Sequence, residues 1–166
     1  MAILGLSGVL ITGCSDSEDV NRSDRPSASP SPSSEPVSAK GQAAEGVKLA
    51  LEERISTDEQ RFGSGANSPC STSSPQMFTA KCKAAADATS DAAGLALSEI
   101  DGRQGFATLD SAARKIQAAV RTYETLGCAQ GPTRADTREA CLDPAAVIAQ
   151  GFADLRSGAN LGLAGK

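Results

Sequence analysis

The residues with the most constrained chemistry are five cysteines, at positions 14, 70, 82, 128 and 141. An odd number leaves at least one outside any internal pairing, and Cys14 stands far from the rest. Cys70, Cys82, Cys128 and Cys141 could in principle bind zinc, run thiol exchange or form disulfides. Zinc fails on spacing, because neither 70 to 82 nor 128 to 141 contains a short CxxC knuckle. It also fails on supply, since the chain has no histidine. Thiol exchange favours a close CxxC too, and none is present. Two disulfides are therefore expected. Three connectivities are open, with 70–82 and 128–141 preferred because each would staple its own loop.

The rest of the chain offers little reactive chemistry. Without histidine, Ser-His and Cys-His nucleophile pairs cannot form. Heme would lack its commonest ligand, leaving Met1, Met77, Tyr123 and the cysteines. Carboxylates cluster as Glu52-Glu53, as Asp87 with Asp91, and as Asp136, Glu139 and Asp143. Asp87 and Asp91 lie one helical turn apart and could share a cation. No second pair completes a hard-metal shell, so a solvated face is expected instead. The expectation is a non-enzyme with no metal and no cofactor. The formal charge of −4, from 16 basic and 20 acidic residues, also argues against nucleic acid, which needs a basic face.

The elements that must position the four thiols read as helices. Ala44, Val47, Leu51, Ile55 and Phe62 fall mostly three or four apart and form one amphipathic stripe. Phe78, Cys82, Ala85, Ala92 and Leu95 carry a second, for which Ser73 is the expected N-cap, with Gln76 three residues on. Phe106, Leu109, Ala113, Ile116, Val120 and Tyr123 form the third, ended by Gly127. Asp143 and Pro144 are expected to open the fourth, whose inner face holds Ile148, Phe152, Leu155 and Ala159. "DGRQG" at 101–105 reads as a helix–helix turn, and Gly158 with Gly162 in "GANLG" as a close-packing seam.

The expected fold is all-α, an up-and-down four-helix bundle over residues 41–166. That topology puts the links near 63–73 and 128–142 at one end, so all four thiols should meet at one pole beside Phe62, Phe78 and Tyr123. The staples have a motive. Residues 41–166 hold 26 alanines against 23 larger apolar side chains, so the core removes little apolar area from water.

Cys14 calls for a different reading. Residues 2–13 carry no charge, and at 12 residues they are shorter than the ~20 that a membrane-spanning helix needs. They suit the apolar region of a secretion signal. Ile11-Thr12-Gly13-Cys14 resembles a bacterial lipobox, with a branched apolar residue and two small residues before the cysteine. The resemblance implies that Cys14 is lipidated and that residues 1–13 are a signal segment removed before it. No Lys or Arg precedes the run, so the natural start is expected upstream of Met1. Composition is similar to that of small lipoproteins of high-GC actinobacteria.

Residues 15–40 contain nine serines and four prolines among 26 positions, with no apolar period. Such a stretch is expected to be a disordered tether, reaching at most ~80 Å. The implied protein is lipid-anchored on the outer face of the bacterial cell membrane. It would present a helical interaction module to an envelope protein or ligand. The alternative is a carrier of a small apolar ligand, which an alanine-packed interior leaves little room to hold.

Overall fold

Ser38 opens the first helix by accepting a hydrogen bond from the Gly41 amide at 3.1 Å. In the computed structural model, which describes residues 38–164, five α-helices follow. They are α1 (Ala39–Phe62), α2 (Ala80–Ile100), α3 (Ala107–Thr125), α4 (Ala135–Ala140) and α5 (Leu142–Leu163). Short 3-10 turns at Gly65–Asn67 and Cys128–Gln130 interrupt the two long links. The described residues form no strand. The signal segment 1–13, Cys14 and tether residues up to 37 lie outside the described residues.

The four long helices pack in a ring, α1 on α2, α2 on α3, α3 on α5 and α5 on α1. This is the expected up-and-down bundle. Its core follows the sequence stripes closely: Val47, Leu51 and Ile55 from α1, Leu109, Ile116 and Tyr123 from α3, and Ile148, Phe152 and Leu155 from α5. Between Cys82 and Ala96 the buried face of α2 holds nothing larger than threonine. The larger side chains of its neighbours fill that space.

Each seam is closed by its own means. On three of them a cation reaches two carboxylates. Arg156 of α5 grips Glu52 and Glu59 of α1, each at 2.8 Å. Arg54 joins Asp58 of its own helix to Asp91 of α2. Lys83 of α2 joins Asp87 to Glu124 of α3. The hydrogen bond from Arg156 holds the Glu52 carboxyl below its ordinary pKa. The α3–α5 seam is closed by glycine. A Cβ on Gly158 would lie 2.8 Å from the Leu109 Cα, and one on Gly162 would run into the Phe106 ring. The seam expected from "GANLG" is present, and Gly151 extends it toward Thr89 and Ile116.

Three boundaries differ from the sequence reading. The first helix starts at Ala39, so the last two positions assigned to the tether are helical. Thr79, not Ser73, caps α2, because residues 64–79 are used up in successive tight turns. Asp143 does not cap the last helix. It lies in the first turn of α5, where its charge faces the positive end of the helix dipole. The six-residue α4 ends against α5 with only Cys141 between them. Gly127 takes the expected left-handed conformation, φ 66°.

Candidate functional site

Helix direction decides what meets at the pole. α1 and α3 end there, while α2 and α5 begin there. Cys70 is bonded to Cys82 and Cys128 to Cys141, the pairing preferred from sequence. All four cysteines are fully buried. The Tyr123 hydroxyl donates to the Met77 carbonyl at 2.5 Å, tying α3 to the segment that leads into α2. The Gly131 amide donates to the Phe78 carbonyl at 3.1 Å and so links the two long loops directly. Arg138 lies 3.9 Å over the Phe78 ring, and Arg61 lies 4.8 Å over Phe62. Thiols and aromatic rings therefore converge as expected.

The loop from Gly63 to Thr79 is built from a chain of tight turns. Backbone amides of Ser68, Ser71, Ser74 and Met77 each donate to the carbonyl three residues back. Serines at this spacing also serve the turns with their side chains. Ser68 Oγ accepts from the Cys70 amide and Ser74 Oγ from the Gln76 amide. Gly63 starts the chain at φ 72°, where a Cβ would sit 2.6 Å from the Asn67 carbonyl oxygen. Only glycine fits there.

Between this loop, the end of α1 and the start of α2 lies an open groove of about 570 Å³. Arg61 and Lys81 line it together with Asn67, Ser73, Ser74 and Gln76, and no carboxylate does. A smaller hollow of about 240 Å³ sits over Tyr123, edged by Lys83, Glu124 and Gln130. Burial pushes the Tyr123 phenol up to about 12, with Lys83 opposing weakly.

The sequence-level carboxylate pairs do not assemble a site. Glu52 turns to Arg156, Asp87 to Lys83 and Asp91 to Arg54, so Asp87 and Asp91 are engaged by different cations. Asp136 pairs with Arg134. Among the described residues, no group of three or more His, Cys, Asp or Glu could hold a metal ion. No described helix is long and apolar enough to cross a membrane. Sequence reasoning found the pole but missed the groove. The signal was the three-residue spacing of Ser68, Ser71 and Ser74, which marks turns rather than a helix.

Comparison with known protein families, characterised proteins and solved structures finds no match.

The buried Tyr123 phenol makes a prediction about pH. Below about pH 10 folded and unfolded chains both keep the tyrosine proton, and this group leaves stability independent of pH. Between about 10 and about 12 the unfolded chain releases a proton that the folded chain retains, so stability falls as pH rises. The loss should reach about 2–3 kcal/mol by the top of that window, measured by urea unfolding at stepped pH. Tyr123→Phe should remove this alkaline loss. Its baseline stability should be lower by ~1–3 kcal/mol, because the Met77 carbonyl loses its buried donor. Parallel decline of both proteins with pH would assign the effect elsewhere.

Proposed function

We propose that this chain is a lipid-anchored protein of the bacterial cell envelope that presents its disulfide-stapled pole as a binding face. The observation that carries the reading is the apolar run ending at Ile11-Thr12-Gly13-Cys14 and followed at once by a Ser/Pro-rich stretch. Acylation with two or more chains would anchor Cys14 stably, whereas one chain alone is marginal. An exported chain meets an oxidising environment, which suits two buried disulfides in a small domain.

The geometry of the head agrees with this use. α1 leaves the tether at Ala39 and reaches the pole at Phe62 after 24 residues, a span of ~36 Å. The start of α1 and the stapled loops therefore lie at opposite ends of the bundle. Loops held on a rigid scaffold are where binding residues concentrate. The function proposed is binding, by the groove-bearing end, rather than catalysis.

The test is Cys14→Ser followed by cell fractionation and mass analysis of the mature N-terminus. The wild-type protein should be acylated and membrane-associated. The variant should be unprocessed or released. A variant that stays membrane-bound with the same mature mass would remove the anchor from this reading.

A further inference from the structure

We propose that the groove between α1, the 63–79 loop and α2 binds a ligand through its carboxylate groups, with Arg61 and Lys81 as the recognising cations. The inference rests on the reading of the pole as a binding face and gives that face a ligand chemistry. Its motive is a local reversal of charge. The chain has more acid than base, 20 residues against 16, yet this groove is lined by two cations and no acid.

Three other cations of the bundle are spent on its seams. Arg54 and Lys83 each join a carboxylate of their own helix to one across a seam, and Arg156 reaches two across another. Arg61 and Lys81 have no carboxylate partner among the described residues. Arg61 also borders a second hollow, which Asp58, Asp87 and Asp91 line. They are already engaged by Arg54 and Lys83. Arg61 is held over the Phe62 ring rather than by a carboxylate, and both cations border a concave surface that carries no acid.

The remaining lining fits the same ligand class. Asn67 and Gln76 amides can donate and accept, as can the Ser73 and Ser74 hydroxyls, so a carboxylate carried on a polar frame meets partners for the frame as well. The wall is also held in place before any ligand arrives. Cys70–Cys82, the chain of tight turns and the obligatory glycine at 63 fix the loop, which lowers the ordering cost of binding. Acidic sugars and acidic peptides both supply carboxylates on polar frames, and two probes separate these sources.

The experiment is an amide NMR titration of the full chain with tri-galacturonate and with tri-glutamate. Maltotriose and tri-glutamine serve as their neutral counterparts. Binding by either acidic probe should shift the amides of Arg61, Asn67, Gln76 and Lys81, and should weaken as salt shortens the Debye length below ~10 Å. Preference for the first probe assigns a sugar source, for the second a peptide source, and equal binding assigns recognition to the carboxylates alone. Arg61→Gln and Lys81→Gln should each weaken binding roughly tenfold. Both side chains are exposed, so the variants should melt like the parent. The inference fails if neither acidic probe binds, if the neutral probes bind equally well, or if the double variant binds unchanged. A partner captured by the pole despite both substitutions would also overturn it, while leaving the pole as the binding face.

Discussion

Replacing Cys70 and Cys82 by alanine is expected to destabilise the domain by ~3 kcal/mol, and replacing Cys128 and Cys141 by a similar amount. Each bond closes a short loop, with sequence separations of 12 and 13, for which the chain-entropy model gives about that value. A domain of this size has a typical stability of ~5–15 kcal/mol, so losing one bond should leave it folded with a melting temperature roughly 10 °C lower. Losing both should leave a large unfolded fraction near 37 °C. Burial of all four cysteines adds a kinetic expectation. Reductant should act slowly on the native protein and quickly once denaturant opens it. The check is thermal unfolding of both double variants and the quadruple variant, with peptide mapping of unreduced parent. Free cysteines in the parent, or melting temperatures within a degree or two of it, would show that the staples do not hold the pole.

The second large effect is a change of sign for one substitution at two helical glycines. Gly46→Ala, on the exposed face of α1, meets nothing within 4 Å. It should stabilise by ~0.5–1 kcal/mol, because glycine loses more backbone entropy in a helix than alanine. Gly158→Ala carries the same propensity gain but puts a methyl group 2.8 Å from the Leu109 Cα. That atom belongs to the backbone of the first turn of α3, so relief requires α3 and α5 to separate there. Overpacking of this kind costs ~1–3 kcal/mol or more. The propensity term is smaller, so the net effect should be destabilising by ~1–2 kcal/mol. The two variants should differ by about 2–3 kcal/mol in urea unfolding. Equal stabilisation of both would mean that the α3–α5 seam is looser than its geometry.

The first prediction bears directly on the groove. The Cys70–Cys82 bond holds the turn-rich loop that walls the groove, and Tyr123 holds the segment leading out of it. The Gly158 and Gly162 contacts lie at the opposite end, where α3 begins and α5 ends, so they hold the bundle together away from the groove. Losing the Cys70–Cys82 bond or the Tyr123 hydroxyl should blur the groove before the bundle itself unfolds, because much of the core lies toward the other end. Groove amides should then lose hydrogen-exchange protection ahead of those of Leu51, Ile116 or Leu155.

How much of this was legible beforehand depended on the range of the interaction. The four long helices were, because each repeats a buried position every three or four residues over some twenty positions, as Leu109, Ala113, Ile116, Val120 and Tyr123 do in α3. The pole was legible as well. Alternating helix direction brings Cys70, Cys82, Cys128 and Cys141 to one end whatever the details of packing. Gly127 was legible because a helix C-terminus favours a residue that accepts positive φ. The 64–79 segment was misread at its Ser73 cap, since "SSPQ" satisfies a local capping pattern that the tight turns override. α4 was missed because six residues with no buried position carry no period.

What the sequence by itself determined is therefore the helical class, the stripe each helix buries and the end at which the thiols collect. All three follow from periodicity and chain direction. Tertiary structure alone decided which charges are spoken for. Arg156 finds Glu52 across 104 positions and Lys83 finds Glu124 across 41, distances over which no local pattern can act. Arg61 and Lys81 look no different from them in the sequence, and only packing leaves those two facing an open groove. The same holds for Gly46 and Gly158, whose difference is the presence of another helix against one of them. Local spacing encodes which face is buried, but the neighbour met by that face is set by the whole bundle closing at once.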